Sequence, residues 1–389
     1  MQHRLLLLWA IVALSPYFLA AQDPFSTHFF NNQSDFNPAL TGFRGALSVD
    51  LKLKTQWGGP AVAPFQSGSI NVEESLPCSI LDYGLHFNFD EEGDGRFRTY
   101  DGGFRFAGTI PFETADQLHN IRLGGSLQWS YKTVDFSRLV FSDQLDPKYG
   151  NIFGTSFVPP NVGASNVFFT PAVGFAYRGL FNKRSSRATA VSVGLSLHNA
   201  YSLGADALGN EESILGIGTK IPPRFAAFAE AEFVPYASGR SYFSVRPLVL
   251  YQRQSRPLFG EGGSLRYVEM GSRFSLNRVL TAGVFYHFTG QHAEEGFNTN
   301  WLTFSLETGM LMGGNRSKRI DLGFAYSNNF TGLSNAVGPI FEASISIHLR
   351  RSPSCELMGM PGTGAGQAMP CPTMRSTSRR KLYENIWYQ

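Results

Sequence analysis

Apolar and polar residues alternate along many short segments of this chain. In the segment 119–134, for example, Leu123 and Trp129 fall on one face, whereas Arg122 and Lys132 fall on the other. Successive side chains of a β-strand point to opposite sides, so the alternation predicts strands with one apolar and one polar face. We predict about fourteen strands, at residues 44–56, 65–75, 80–90, 98–112, 119–134, 168–181, 187–199, 222–236, 239–253, 263–276, 278–290, 298–312, 316–329 and 338–350.

The segments between these strands alternate strictly between short turns and longer loops. The longest loops are Asp135–Val167 and Ala200–Ile221, and short turns such as Glu113–Leu118 lie between the long ones. Barrels of the bacterial outer membrane have short periplasmic turns and long external loops. We therefore predict an all-β fold, a transmembrane antiparallel β-barrel of about 14 strands with both termini in the periplasm.

The chain before the barrel falls into two predicted parts. Residues 1–21 have a basic start, an apolar run and the small residues Ala20-Ala21, which together are typical of a signal peptide. Residues 22–43 show little periodicity, and they are predicted either to rest at the periplasmic mouth of the barrel or to plug its lumen. The barrel itself is assigned to residues 44–350.

A basic tail, residues 351–389, follows the barrel and is predicted to lie in the periplasm. From Arg350 onward there are six basic and two acidic residues, whereas the whole chain has a formal net charge of only +3. The tail ends in an aromatic stretch that contains Trp387 and Tyr388. Aromatic residues beside basic ones are typical of interface anchors, so this stretch is interpreted either as a docking peptide or as a frayed end.

Charged residues of both signs fall on the predicted inner face of the strands. They are Asp50, Lys52, Arg122, Lys132, Glu230, Glu232, Glu269, Arg273, Asp321 and Glu342. A selective ion pathway would favour one sign, so the mixture indicates a polar interior with internal ion pairs. The apolar faces make the lipids of the outer membrane an expected partner, and nucleic acid is not expected to be one for an exported protein.

Motifs for enzyme chemistry are not found in the sequence. It has no Walker A, His-Glu-x-x-His, Gly-x-Ser-x-Gly or Cys-x-x-Cys motif, and we predict no enzyme activity and no catalytic, cofactor-binding or metal-binding residue. The acidic loop 90–101 resembles an EF-hand loop in part. Its third position is Glu, its twelfth is Asp and strands flank it, so an acidic hairpin is favoured over weak calcium binding. A disulfide bond between Cys355 and Cys371 is an open possibility in an oxidising periplasm.

Several motifs resemble the PorP/SprF family of type IX secretion membrane proteins. The segment 22–24, Gln-Asp-Pro, is similar to the start of mature members, and 37–42 matches their Asn-Pro-Ala-x-x-Gly motif. Lys-Thr-Gln-Trp at 54–57 is similar to the Arg-Asn-Gln-Trp that ends the first strand in the family. Tyr326 and the Gly-Leu-Ser-Asn segment 332–335 resemble a loop near the end of the barrel. These motifs keep their order along nearly the whole barrel.

The resemblance implies an outer-membrane barrel of Bacteroidota that works with the type IX secretion machinery. Family members are thought to receive or hold exported surface proteins, including gliding adhesins, through the C-terminal domains of those cargo proteins. Some also associate with periplasmic components of the machinery. The resemblance therefore implies an exported cargo protein and components of the secretion system as partners.

We select partner-binding candidates from these motifs and from the end of the tail. They are Asn37, Pro38, Gly42, Trp57, Gly332, Leu333, Ser334, Asn335, Trp387 and Tyr388. The loops Asp135–Val167 and Ala200–Ile221 are predicted to form much of a cargo-binding rim. For 332–335 a tight external turn is the favoured alternative, because Gly, Ser and Asn suit turns. A passive porin or small-solute channel and a purely structural wall protein are the other functions left open.

Overall fold

The structure, a computed structural model, describes most of the predicted barrel and parts of both termini. The described residues are 29–56, 64–76, 79–93, 95–158, 165–185, 187–200, 222–238, 241–255, 264–288, 300–312, 318–329, 338–349, 351–358, 381, 382 and 384. The predicted signal peptide, residues 1–21, lies outside them.

Fourteen long strands and two short ones are present in this described part of the chain. The strands are β1 Leu47–Gln56, β2 Phe65–Ser75, β3 Leu81–Glu92, β4 Phe97–Glu113, β5 Gln117–Thr133, β6 Leu145–Asp146, β7 Gly150–Asn151, β8 Ser165–Phe181, β9 Thr189–His198, β10 Arg224–Ser238, β11 Ser241–Ser255, β12 Ser264–Leu276, β13 Leu280–Phe288, β14 Trp301–Met312, β15 Lys318–Asn329 and β16 Ile340–Leu349. The helical segments are α1 Gln33–Phe36, α2 Pro353–Leu357 and 3-10 turns at Phe29–Asn31, Pro38–Leu40, Phe136–Arg138 and Ser142–Gln144. Among the described residues, no helix has the length and apolar character needed to cross a bilayer.

The long strands form one closed antiparallel barrel. Each pairs with the long strands next to it in the chain, and β16 returns to pair with β1, where Leu47 lies opposite Leu349 and Thr55 opposite Phe341. Closure leaves no strand edge unpaired, as a sheet surrounded by lipid requires. The predicted all-β antiparallel barrel of fourteen strands is confirmed, and the location of its termini in the periplasm stays a prediction. The short strands β6 and β7 pair only with each other, within the loop that joins β5 to β8.

The barrel wall is apolar outside and polar inside, as the alternation predicts. On β5, Leu123 is 56% and Trp129 is 42% exposed, whereas Arg122 is 1% and Lys132 is 8% exposed. All ten charged residues predicted to face inward are buried or half-buried. Because a slip by one residue would move such charges into lipid, the pattern fixes the register of the strands.

The two ends of the barrel differ in the length of their connections. At the short-turn end, residues 114–116 join β4 to β5, and residues 277–279 join β12 to β13. Asn277 and Arg278 have φ of 51° and 58°, the left-handed conformation of a type I′ hairpin turn. β1 begins and β16 ends at this same end. The opposite, long-loop end carries residues 134–158 between β5 and β8.

The first strand starts later than the sequence predicted. The prediction began it at residue 44, but β1 begins at Leu47. Gly42 and Gly45 have φ of 70° and 125°, a backbone that glycine adopts readily, and it turns the chain just before β1. Residues 41–46 therefore belong to the segment inside the barrel rather than to its wall.

Candidate functional site

An N-terminal plug, residues 29–46, lies inside the barrel and is held there by apolar contacts. Its α1 helix and two 3-10 turns carry side chains that pack against the inner faces of the strands. The cluster consists of Phe29, Phe30, Phe36, Ala39, Leu40 and Phe43 from the plug and Ala176, Ala226, Phe228, Leu248, Leu250 and Phe285 from the barrel. Full burial of one Phe contributes about 1.5–3 kcal/mol. The plug is therefore part of the folded core.

The Asn-Pro-Ala motif at residues 37–39 sits against three glycines of the barrel wall. These are Gly124 on β5, Gly174 on β8 and Gly194 on β9. A side chain at any of the three would overlap atoms of the motif. Only glycine allows the backbone of the plug to come so close to the wall.

Asn37 uses its whole side chain to fix this position. Its amide nitrogen Nδ2 donates to the backbone carbonyls of Phe175 at 3.0 Å and Leu195 at 3.2 Å. Its Oδ1 accepts from the backbone N–H of Ala39 at 2.9 Å, which is a helix N-cap bond to the next turn. Asn37 is 0% exposed, so it bridges two neighbouring strands from within the lumen.

Gly42 meets two demands at once. Its φ is 70°, and a Cβ there would lie 2.9 Å from the Cβ of Asp82. Its backbone N–H donates to Oε2 of Glu73 at 2.9 Å. The final glycine of the family motif therefore has a structural explanation in backbone conformation and close packing.

Arg122 joins the plug to the wall. Its guanidinium donates to the backbone carbonyls of Ala39 at 2.7 Å and Thr41 at 2.5 Å. The same group pairs with the Asp82 carboxylate at 2.9 Å. Both side chains of this pair are almost fully buried, and a buried pair of this kind depends on having its hydrogen bonds satisfied.

A second part of the chain, from the opposite terminus, also enters the barrel. Lys381, Leu382 and Glu384, here called the tail segment, are 3%, 0% and 4% exposed. The ammonium of Lys381 donates to the carboxylate of Asp82 at 2.5 Å and to the carbonyl of Leu76 at 2.9 Å. Both of these partners lie at the short-turn end. The tail segment therefore enters the lumen from that end.

Leu382 supplies the apolar contact of the tail segment. It packs in a small cluster with Leu118 of β5, Leu180 of β8 and Ala190 of β9. This cluster is separate from the one that holds the N-terminal plug. A single leucine is thus the apolar anchor among the described tail residues.

Glu384 is surrounded by four arginines, here called the arginine cluster. Its carboxylate accepts from Arg246 at 3.1 Å, and it lies 3.6 Å from the guanidinium nitrogens of both Arg44 and Arg273. Its backbone carbonyl accepts from Arg178 and again from Arg246, each at 3.0 Å. The cluster therefore binds the side chain and the main chain of the same residue.

The charge of the cluster decides the protonation of Glu384. Burial by itself would raise the pKa of its carboxyl group. The positive charges of the cluster, led by Arg246, outweigh burial and hold the pKa below the ordinary value of 4.5. Glu384 is therefore an anion at neutral pH.

The N-terminal plug forms one wall of this site. The guanidinium of Arg273 lies 4.2 Å from the centroid of the Phe30 ring, and that of Arg178 lies 5.0 Å from the Phe43 ring. These are cation–π distances. The backbone N–H of Glu384 also donates to the carbonyl of Phe43 at 2.8 Å. The aromatic rings thus position the arginines that bind the tail segment.

A folded loop stands at the other end of the barrel. This outer loop, residues 134–158, contains the β6–β7 pair and is organised around Asp143, whose carboxylate accepts from the N–H of Ser156 at 2.6 Å and from the hydroxyl of Thr155 at 3.1 Å. Hydrogen bonds from Ser156 lower the pKa of Asp143. The ring of Phe141 stacks on that of Phe157 with centroids 4.6 Å apart. The loop therefore has a defined shape of its own.

This outer loop exposes apolar side chains. Those at least half exposed are Val140, Leu145, Tyr149, Ile152, Phe153 and Val158, with exposures of 51% to 81%. Apolar residues of the strands face lipid, but these belong to a connection at the long-loop end. Such exposure on an ordered loop is typical of a surface that binds another protein.

The predicted partner-binding residues have different outcomes. Asn37, Pro38 and Gly42 are brought together, but inside the lumen, where they are buried and hold the plug. The remaining candidates lie outside the described residues: Trp57, Gly332, Leu333, Ser334, Asn335, Trp387 and Tyr388. For all ten, partner binding stays a prediction.

Sequence reasoning did not single out the residues that hold the tail segment. Of the arginine cluster, only Arg273 was among the charges predicted to line the lumen. Period-two alternation already places Arg178 and Arg246 on the inner faces of β8 and β11. It could not show that they converge on Glu384, because that depends on how the barrel closes.

The start of the tail is fixed to the rim. The hydroxyls of Ser352 and Ser354 donate to the carboxylate of Glu74 at 2.6 and 2.7 Å. Next to them Cys355 is fully buried and disulfide-bonded. The cysteine bonded to it lies outside the described residues, so the pairing with Cys371 stays a prediction.

The part of the chain that the structure describes contains no group of three His, Cys, Asp or Glu residues able to hold a metal ion. The acidic loop 90–101, which resembles an EF-hand loop in part, spans the hairpin connection between β3 and β4. Its Glu91 pairs with Arg98 at 2.7 Å.

Comparison with known proteins gives one extensive match. A family model described as "Type IX secretion system membrane protein PorP/SprF" matches residues 18–347. No curated protein sequence matches the chain. The toluene transporter TodX of Pseudomonas putida is a similar solved structure, with 10% identity and a TM-score of 0.35 over 84% of this chain and 95% of that one. A FadL homologue of Pseudomonas aeruginosa has 13% identity and a TM-score of 0.37 over the same shares.

Proposed function

Because the chain belongs to the PorP/SprF family of type IX secretion system membrane proteins, we propose that it receives or anchors an exported surface protein at the long-loop end of its barrel. The protein is an outer-membrane barrel, and its family associates with the secretion machinery and the membrane. The proposal adds a cargo protein, which binds at the long-loop end, and assigns contact with the secretion components to the short-turn end.

The observation that carries the proposal is the outer loop. It is ordered by Asp143 and by stacked phenylalanines, yet it exposes Tyr149, Ile152 and Phe153 by more than half. Aromatic and aliphatic side chains on a rigid base bind proteins well, because little conformational entropy is lost on association. The C-terminal domain of an exported protein is the ligand that the family assignment favours.

The filled lumen favours anchoring over the alternative of a passive channel. The plug packs six apolar side chains against the inner wall, and the tail segment occupies the short-turn end. Open porins keep an aqueous channel through the barrel. The filling of this lumen also makes the loops and rims, rather than a pore, the surfaces available for partners.

The short-turn end is proposed to face the periplasm and its secretion components. Short turns are periplasmic in outer-membrane barrels, and both ends of the barrel segment lie there. The rim at this end includes α2, which hydrogen bonds from Ser352 and Ser354 to Glu74 fix in place. Contact with the machinery is therefore assigned to the termini, and we propose no enzyme activity.

The test is cargo capture by a variant of the outer loop. The double variant Ile152→Asp/Phe153→Asp places charges on the exposed apolar surface. Crosslinking in intact cells and mass spectrometry should recover at least about tenfold less of the secreted protein that wild type captures, because buried anchors dominate an interface. The double variant Lys148→Asp/Asn151→Asp is the control, since it makes the same loop more negative at polar positions, by three charges against two for the test variant.

Equal capture by the two double variants would contradict the proposal. Steady single-channel conductance of the purified wild-type protein in planar bilayers would favour the channel instead. An unchanged secreted proteome and unchanged solute uptake after disruption of the gene would favour a purely structural wall.

A further inference from the structure

The tail segment occupies a defined site in the lumen, in the way that a bound ligand does. It is separated from α2 by residues 358–380 in sequence, which is enough chain to reach well beyond the rim, since an extended residue spans about 3.4 Å. Yet Lys381, Leu382 and Glu384 are each at most 4% exposed. Three different kinds of contact hold these three residues.

Each contact recognises a different chemical group. The ammonium of Lys381 meets the buried Asp82 carboxylate, and Leu382 fills an apolar pocket lined by Leu118 and Leu180. The arginine cluster receives Glu384. Together they define a site for a peptide with the pattern basic, apolar, any residue, acidic.

The arginine cluster is built to bind a peptide rather than a free anion. Arg246 donates both to the carboxylate and to the backbone carbonyl of Glu384, and Arg178 donates to the same carbonyl. The backbone N–H of Glu384 donates to Phe43. An inorganic anion or acetate offers a charge but no peptide group, so it would leave these main-chain contacts unmade.

Contacts within the barrel wall hold the arginines that bind the tail segment. Arg178 Nη1 pairs with Glu230 at 3.1 Å and donates to Ser192 at 2.8 Å, and Arg246 Nε lies 3.5 Å from the Glu232 carboxylate. The Nη2 atoms of Arg178 and Arg246 donate to the carbonyl of Glu384. The strands therefore position both guanidinium groups and leave at least one nitrogen of each to the tail segment.

The site also has access to water. A cavity of about 70 Å³ adjoins Glu384, and a single water needs roughly 10–15 Å³ of such space. Five arginines (Arg44, Arg246, Arg273, Arg278 and Arg319) line it together with four acidic residues (Glu232, Glu307, Asp321 and Glu384). When Glu384 leaves, its place can be taken by water, and the lining then loses one of its four negative charges.

We propose that the arginine cluster and its neighbouring leucine pocket form a peptide-binding site, which the tail segment occupies and which a partner protein's peptide of the same basic, apolar, any residue, acidic pattern enters in its place from the short-turn end. The tail segment is the internal competitor for that partner. The pattern that the site accepts is the one displayed by the tail segment itself. This inference goes beyond cargo capture, because it concerns the other end of the barrel and a different ligand.

The test uses full-length protein and a labelled synthetic peptide of residues 379–386. In the Leu382→Glu variant, a charge in the apolar pocket displaces the tail segment and leaves the arginines intact. We expect this variant to bind the peptide, and wild type to bind it at least about tenfold more weakly, because a tethered competitor acts at millimolar effective concentration. The full-length Glu384→Lys variant provides a second way of displacing the tail segment.

Two peptide controls report on recognition. A peptide with the Glu384→Gln change should bind about thirtyfold more weakly, since it loses a charged partner of buried arginines. A scrambled peptide of the same composition should not bind.

Acetate at the same concentration as the peptide should not compete. An Arg246→Gln change in the Leu382→Glu background should remove binding of the original peptide.

Several results would overturn the proposal. One is failure of the peptide to bind both tail-displaced variants while their barrels remain folded, as judged by heat-modified mobility in gels. Equal binding of the Glu384→Gln peptide would also overturn it. So would dimerisation of wild type through exchanged tails in sedimentation experiments, because the occupant would then be a second copy of this chain. None of these results bears on the outer loop, so this proposal and cargo capture can fail separately.

Discussion

The N-terminal plug and the tail segment share one lumen but are held there by different forces. Six apolar side chains of the plug enter the main core, and Asn37 bridges two strands. The tail segment has one buried leucine between two ionic contacts beside a cavity. Apolar burial is lost only by exposing that surface to water, whereas an ionic contact is also weakened when its carboxylate is protonated. One filling is thus a permanent part of the fold and the other is suited to exchange.

The largest expected effect is on the plug. Phe30→Ala should lower the free energy of unfolding by about 3–5 kcal/mol. The Phe30 side chain is 1% exposed, so its removal leaves a cavity in the core. Urea unfolding of the protein in detergent micelles measures this. Phe153→Ala, at a ring 54% exposed on the outer loop, should change it by less than about 0.5 kcal/mol. Similar losses in both variants would contradict a core role for the plug.

A smaller loss is expected when the polar attachment of the plug is broken. Asn37→Asp keeps an acceptor for the N–H of Ala39 but replaces the donor to Phe175 and Leu195 by an oxygen. Two buried carbonyls then face a carboxylate, and stability should fall by about 1–3 kcal/mol. The same urea experiment measures it, with the exposed Asn151→Asp as control. Unchanged stability would show that the bridge between the strands is dispensable.

The tail segment should respond locally, without destabilising the barrel. In wild type, trypsin should cut slowly after Lys381, because its ammonium is paired with Asp82. Leu382→Ala should raise the rate of this cleavage at least about tenfold, since cleavage follows the population of the open form. Mass spectrometry identifies the cut. If Leu382→Ala also lowers the midpoint of urea unfolding, the tail segment is part of the core and the contrast with the plug is lost.

The smallest effect is a dependence of tail docking on pH. The docked pKa of Glu384 lies below its ordinary 4.5. Its charge therefore favours docking fully above pH 4.5, and this contribution is lost as the pH falls through the docked pKa. Hydrogen exchange at the amide of Glu384, which donates to Phe43, should accelerate in that range after correction for intrinsic rates. Glu384→Gln should show no such step.

The wall of the barrel was predictable from the sequence because its signal is local. The fifth strand was predicted at 119–134 and is found at Gln117–Thr133, since each side chain there faces either lipid or the lumen. The start of β1 was less predictable. Alternation continues into residues 44–46, and only the backbone at Gly42 and Gly45 shows that the chain is still turning.

The contents of the lumen were harder to predict. A plug at residues 22–43 was one of two possibilities, because a segment without periodicity gives no sign of what it packs against. The tail was interpreted as a docking peptide or a frayed end, and the buried Lys381, Leu382 and Glu384 could not be foreseen. Their environment is supplied by strands distant in sequence, so it exists only once the barrel has closed.

The pairing of β16 with β1 closes the wall around two segments of the same chain. The Asn-Pro-Ala motif of the plug is seated against glycines of β5, β8 and β9, so the sheet encloses this segment when it closes. The site of the tail segment takes its arginines from the plug and from β8, β11 and β12, and it therefore exists only in the finished cylinder. An occupied arginine cluster is consequently the mark of a closed barrel.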